Sequence, residues 1–430
     1  MSKLCLCLIS LFFWGSAYGR GVVPKMPSDF EQVDVYLLTV KRGAAVYALY
    51  GHTILRVVDR TSGADYNFNW GIFDFRAKDF IWKFYIGDLN YQLAITDFYS
   101  LIDHYRVVEK RGVIQDRINL TNLQKQTLLR RLIWNAEPEN LFYQYNQFAD
   151  NCSTKPRDYL DEALGGKIRE FYGDRVSSDN FRHHIRRSSS PAWWVEVGLD
   201  TVSNNMLDAP ITNWQEMFLP KNFRDLLLEL PAFEDEGHAI QGKNLLEQHE
   251  LIIDLPDPPQ RTDPYYVIVL VFGLMTVFSA IFTLNGMFKD GPPKSRGGGI
   301  FVLLGVVLFF FGLWNGVWGT LMTFNWLFSR YAEVQANTLL LLYWPVDWFW
   351  ALLGLFFVVK RRQLSAHAPG GKIAISLGIL HMVSIMVATI LCLTDVITQN
   401  IFPHLLIAGL SGTTLYWLVL RIGLTRGVRQ

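Results

Sequence analysis

The residues of this chain whose types and spacing could do covalent chemistry are His52, in Tyr50-Gly51-His52-Thr53, and Cys152, in Asp150-Asn151-Cys152-Ser153-Thr154. A thiol at a helix start sits in the positive end of the peptide dipole, which favours thiolate, and an adjacent imidazole favours it further. His52 would take the thiol proton and later return it to a leaving group, while backbone N–H groups at the helix start would stabilise a tetrahedral oxyanion. A third polar group must orient the imidazole. Asn69 on the following strand is the choice, with Asn67, two residues earlier on the same face, as the alternative. Tyr50, Ser153 and Arg157 flank the pair and are the expected substrate contacts. A lone Cys is ordinarily a small buried hydrophobe. Cys152 stands apart because Cys5 and Cys7 fall in an apolar leader and Cys392 in an apolar span, so no disulfide partner is in view. An unpaired thiol in an oxidising compartment is a liability unless it is used.

The elements that must position these residues are readable from pattern. Asp34–Val40, Thr53–Val58 and Tyr66–Trp70 are β-prone and partly alternating, and read as strands. Two more strands are expected around Tyr105–Leu120, broken near Lys110-Arg111-Gly112. Thr121 caps a helix from about Asn122 to Asn135, since Leu128, Leu129, Leu132 and Ile133 recur at helical spacing. A second helix begins close to Cys152, with Pro156 in its first turn, Tyr159, Leu160, Ala163 and Leu164 on its apolar face, and Gly165-Gly166 as its stop. From Trp193-Trp194 to Leu230 the chain is helical in patches, with a break at Leu219-Pro220.

The formal net charge is only +1, from 40 Lys+Arg and 39 Asp+Glu in 430 residues. It conceals a split. From Pro264 onward there are 11 basic and 4 acidic residues, whereas Arg20 to Asp263 carries 28 basic and 35 acidic. The uneven halves exclude a single soluble globule, and a chain that is 50% hydrophobic and 14% aromatic is not disordered. An acidic polar half also argues against nucleic acid as a partner. Residues 1–19 read as a signal peptide, with Lys3, an apolar Leu4–Gly15 run and a small-x-small site at Ala17-Tyr18-Gly19. Residues 20–254 form an exported domain, and 255–264 (LPDPPQRTDP) a Pro-rich linker. Residues 265–430 form a membrane domain with five expected spans: Tyr265–Met287, Ile300–Thr323, Asn337–Val359, Ile373–Leu393 and Phe402–Leu420. Lys289, Lys294, Arg296, Lys360, Arg361, Arg362, Lys372, Arg421, Arg426 and Arg429 fall on one set of loops, against Arg330 on the other. The positive-inside rule then places the exported domain outside the cytoplasm.

At these residues the chain resembles two families. Gly-His opening a strand, followed by Asn-Cys opening a helix, looks like the circularly permuted papain-like (NlpC-like) fold shared by lecithin:retinol acyltransferase. Tyr50-Gly51-His52-Thr53, Phe68-Asn69-Trp70-Gly71-Ile72-Phe73-Asp74-Phe75 and Asp150-Asn151-Cys152-Ser153-Thr154, ahead of an apolar half, resemble the Lnb-type bacterial lipoprotein N-acyltransferases. The resemblance implies an α+β catalytic domain on the periplasmic side of a multi-pass protein of the bacterial inner (cytoplasmic) membrane. It implies transfer of an acyl chain from a membrane phospholipid, through a Cys152 thioester, to the α-amine of the diacylglyceryl-cysteine of an apolipoprotein, with His52 as base and Asn69 as its orienting group. The competing reading is a membrane-tethered cysteine peptidase or amidase acting on cell-wall peptides. No cofactor or metal is expected, because His183-His184 in FRHHIRR lacks a carboxylate or Cys at ligand spacing. Asp347, His381, Asn315 and His404 lie in or near spans, where polar groups are costly, and read equally as helix–helix hydrogen bonds or as functional groups.

Overall fold

The computed structural model describes residues 23–73, 79–261, 263–288 and 298–425. The signal segment 1–19, the motif residues Asp74 and Phe75, and the loop residues Lys289, Lys294, Arg296, Arg426 and Arg429 lie outside these. The chain is mixed α+β, sheet-rich in its N-terminal part and helical in its C-terminal part. Its internal contacts define two units: the chain up to Ala192 with Pro210–Arg261, and Trp193–Ala209 with Thr262–Gln430.

Seven strands of the first unit, β1 (Val33–Val40), β2 (His52–Asp59), β3 (Ala64–Ile72), β4 (Asn90–Thr96), β5 (Val113–Ile118), β6 (Phe142–Gln144) and β7 (Leu246–Ile253), form one sheet. Their order is β7-β5-β1-β2-β3-β4-β6, antiparallel throughout. β1 is apolar on both faces because both are covered. Val33, Val35 and Leu37 join Phe68 and Trp70 of β3 against α2 (Asn122–Ala136) and α3 (Thr154–Ala163). Leu38 and Val40 face the other way, against Phe98, Leu101, Ile102 and Tyr105. The period of two therefore puts Asn67 and Asn69 of β3 on the face opposite Phe68 and Trp70.

The strand expected at Tyr105 is instead helical. Helix α1 (Phe98–Asp103) continues through a wide-turn helix, His104–Glu109, before Lys110 turns left-handed at φ 54°. Asp97 caps this run by accepting from the Ser100 amide at 2.9 Å, and Phe98, Leu101, Ile102 and Tyr105 supply its buried stripe. Only β5 remains of the two strands expected there. The other elements fall close to their expected places. Thr121 and Gln124 form a reciprocal capping box on α2, and Pro220 opens α5 (Pro220–Leu228) immediately after the expected break; α4 (Phe181–Ser189) lies between α3 and α5.

The second unit takes Trp193–Ala209 out of the segment that reads as one exported stretch in sequence. Asn337 Nδ2 holds this piece by donating to Thr201 O (2.9 Å) and Ser203 O (3.2 Å). Three helices are long and apolar enough to cross a membrane: Gly299–Phe328, Pro369–Leu393 and Phe402–Arg421. The expected third span is not one helix. Ala332–Leu341 and Pro345–Lys360 are bent by 54°, so the described residues hold three candidate spans, or four if this pair counts as one. Pro345 is the cause, since the residue before a proline is excluded from the helical region, and Trp344 is extended at φ −113°, ψ 148°. The expected first span is helical over Pro264–Phe288, but among the described residues its apolar part, Pro264–Phe278, is short of a crossing. Close packing inside the unit depends on missing side chains. A Cβ on Gly312 would lie 2.3 Å from the Ala351 amide, and one on Gly319 2.3 Å from the Trp344 carbonyl carbon.

The sheet and helices of the first unit meet at Asn135. Its Oδ1 accepts from Trp70 Nε1 at 2.8 Å and from the Tyr159 hydroxyl at 3.0 Å, and all three residues are buried. Asn135→Ala strands two buried donors, so we expect a loss of about 2 kcal/mol or more. A thermal melt of the purified protein checks this; an unchanged midpoint would show that the bridge contributes nothing.

Candidate active site

The chain around Cys152 is organised by one side chain. Asn151 is 1% exposed. Its Oδ1 accepts from the amides of Ser153 (2.7 Å) and Thr154 (2.9 Å), and its Nδ2 donates to Gln147 O (2.7 Å) and Phe218 O (2.9 Å). Thr154 returns the favour by accepting from the Asn151 amide at 2.7 Å, and Ser153 Oγ donates to Met217 O at 2.8 Å. The first amides of α3, otherwise orphans, are thus satisfied from the loop that precedes them.

His52 opens β2, and its Nε2 lies 2.6 Å from Asn69 Oδ1. An amide oxygen only accepts, so the contact selects the Nε2–H tautomer and leaves Nδ1 as the basic nitrogen. Asn67 is turned elsewhere, donating to Thr96 O at 3.0 Å, which decides between the two candidate asparagines for contact with the imidazole. Cys152 comes to the same place. Its sulfur receives the amide of Thr53, the residue after His52, and a Cβ added to Gly71 on β3 would lie 3.7 Å from Cys152 Cβ. The structure therefore pairs His52 of β2 with Asn69 of β3 and sets Cys152, just before the N-cap of α3, against Thr53 and Gly71 on the same two strands.

Their electrostatics differ from the sequence expectation of a helix-stabilised thiolate. Cys152 is 9% exposed, and burial pushes its thiol up to about 11, against the lowering effects of the Thr53 amide and the Arg111 charge. Burial likewise depresses His52 to about 4, with Asn69 working in the opposite direction. Both groups are neutral near pH 7, because desolvation outweighs the interactions that favour their charged forms.

Near these residues lies a charged pair with buried side chains, at the expected break around Lys110-Arg111-Gly112. Arg111, 3% exposed, donates from Nη1 to Glu109 Oε2 (2.7 Å) and from Nε to Lys41 O (2.8 Å), while His104 lies 3.1 Å from Glu109 Oε1. Burial alone would raise the Glu109 carboxyl; His104 and Arg111 outweigh it and hold it below the usual range. The signal in sequence was Glu109-Lys110-Arg111, four residues after Tyr105, but only the fold shows that two of those charges point inward.

Residues 25–176 match the family model described as the Lnb N-terminal periplasmic domain. Over this segment the chain is similar to the Lnb N-terminal periplasmic domain. The segment contains His52, Asn69, Arg111 and Cys152, and with the apolar helices of the second unit it makes the chain a membrane protein with a periplasmic domain. No curated protein and no solved structure matches the chain.

The three residues expected to contact substrate are held by the scaffold. Ser153 is fully buried on Met217 O. Arg157 donates to Trp214 O and Asp158 at 2.8 Å each, with its guanidinium 3.8 Å from the Trp214 ring centre. The Tyr50 hydroxyl meets Ser189 Oγ at 3.0 Å. Aromatic side chains close the surroundings, Tyr91 stacking on Tyr145 at 4.3 Å between ring centres.

With the thiol near 11, its alkylation by iodoacetamide should be slow at pH 7 and rise about tenfold per pH unit toward pH 10, tracking the thiolate fraction. Mass spectrometry of the Cys152 peptide reads the rate. A rate already level at pH 7 would mean a preformed thiolate and refute the neutral resting pair.

Proposed function

We propose that the chain is a lipoprotein N-acyltransferase. The Lnb domain supports an enzyme of this type, and the observation that carries the chemistry is the 2.6 Å His52–Asn69 contact beside Cys152. We place the exported domain on a permuted papain-like (NlpC-like) fold, supported by histidine preceding cysteine, the antiparallel sheet and a cysteine immediately before the N-cap of a helix. The protein would be multi-pass in the bacterial inner membrane with its basic loops in the cytoplasm, which needs no cofactor and puts both lipid substrates within reach of the site.

In the first step Cys152 attacks the ester carbonyl of a membrane phospholipid while Nδ1 of His52 takes the thiol proton. Because both groups start neutral, proton transfer accompanies attack. The tetrahedral intermediate collapses to a Cys152 thioester as His52 delivers its proton to the departing lysophospholipid oxygen. In the second step the α-amine of a diacylglyceryl-modified N-terminal cysteine attacks the thioester. His52 accepts a proton from that amine, the amide forms, and the thiol is restored. Asn69 holds the imidazole in the tautomer that both steps require.

Intact-mass spectrometry of the full chain, given phospholipid in detergent, tests this reading. An acyl adduct that hydroxylamine removes is expected on the wild type and absent from Cys152→Ala, and a diacylated lipopeptide should discharge it. His52→Ala should slow adduct formation by about 100-fold or more, and Asn69→Ala by a smaller factor. Absence of an adduct together with cleavage of peptide bonds would establish the peptidase reading instead.

A further inference from the structure

The paired histidines of FRHHIRR gain two carboxylates in the fold, Asp179 from four residues before His183 and Glu216 from farther along the chain. Asp179 lies on the short strand Val176–Asn180, which pairs with Pro210–Thr212. Thr212 then caps the turn of helix Asn213–Glu216, and Asn180 caps α4 with its side chain on the His183 amide. These three local structures bring one ligand-capable atom each from Asp179, His184 and Glu216 within 4.8 Å of one another. His184 is 1% exposed, and its Nε2 sits 3.1 Å from Glu216 Oε1 yet off the line of a hydrogen bond, so a buried nitrogen points into the cluster without a hydrogen-bond partner. Such a group is costly unless something takes its lone pair or proton.

The carboxylates are held from behind. Ser177 Oγ donates to Glu216 Oε2 at 2.9 Å, Asn222 Nδ2 donates to Glu216 Oε1 at 2.8 Å, and Arg187 pairs with Asp179 Oδ2. Outer partners that orient a His and carboxylate set are what metal centres require. We propose that Asp179, His184 and Glu216 form a site for a divalent metal of the Zn²⁺ class, with three protein ligands and an open fourth position. Metal–ligand lengths of about 2.0–2.2 Å need the three atoms to draw together by roughly an ångström. Arg187, and His183 at 3.4 Å from Asp179 Oδ1, share the Asp179 charge, which makes this a weaker site than one with two free carboxylates.

The site has a consequence for the thiol. The two residues after Glu216 are Met217 and Phe218, whose carbonyls hold Ser153 and Asn151, and the His184 ring packs edge-on against Phe218 at 5.8 Å. A metal on Glu216 and His184 would anchor the strip that clamps the Cys152 loop.

Zn²⁺ titrated into the full-length protein in detergent, with Cys152→Ala and Cys392→Ser removing competing thiols, tests the site by competition against a chromophoric chelator. We expect one ion per chain, a Zn²⁺-dependent rise in melting temperature, and loss of both in Glu216→Gln and in His184→Asn. Circular dichroism confirms that each variant is folded, and two variants at different ligands keep the result readable if one of them is not. No saturable ion, or an ion retained in both folded variants, overturns the proposal and leaves a buried ion-pair cluster. Since the readout is binding in a protein without Cys152, its failure is separate from any failure of the acyl-transfer reading.

Discussion

The hydrogen bonds of the Asn151 carboxamide are the constraint on which the candidate site depends. A buried primary amide offers two donors and two acceptor positions, and here both N–H groups reach carbonyls while the oxygen takes two amides. One side chain therefore ties the Gln147 loop, the Phe218 strip and the first turn of α3 into a single joint. Cys152 is the next residue, so its sulfur is placed by a group that does no chemistry itself. Neither Asp nor Ser could substitute for it, because a carboxylate cannot donate and a hydroxyl cannot make four contacts.

Burial sets the character of that site. The desolvation that makes the Asn151 network strong also penalises charge on Cys152 and His52, leaving a thiol and a neutral imidazole in place of an ion pair. Arg111 acts on both groups, lowering thiol and imidazole alike, and it is itself balanced by Glu109. A thiol that stays protonated at rest suits an unpaired cysteine in an oxidising compartment, where a standing thiolate would be oxidised.

The membrane unit obeys a different constraint, because in lipid each backbone break must be covered by protein. At Leu342–Trp344 the chain leaves helical geometry, and the long helix Gly299–Phe328 covers it with glycines at the contact. Asp347, just after the break, receives His381 Nε2 at 2.5 Å with both side chains fully buried, and Trp344 stacks on that ring at 3.9 Å. Polar residues scattered in sequence thus become one pair at the point where the helix is interrupted.

Much of this was legible before folding. Alternation exposed three of the sheet strands, capping residues and glycines exposed α2 and α3, and the cysteine beside Asn151 marked the candidate site, because each signal is local to a few residues. The stretch around Tyr105 misled, since Tyr-Arg-Val-Val is β-prone in isolation and becomes helical only when Phe98, Leu101, Ile102 and Tyr105 share a buried face. The third apolar segment misled for a related reason: hydropathy averages over Pro345, whereas backbone geometry does not. By itself the sequence determined the two halves, the residue types of the site and the order in which they occur, all of which follow from composition and short-range pattern. Tertiary structure alone decided that Asn69 and not Asn67 meets His52, that Arg111 and Glu109 are buried beside the thiol, and that Asp179 and Glu216 close on His184. These depend on how separate elements fold onto one another, and above all on burial, which changes what a charged or polar group costs and so what it can do.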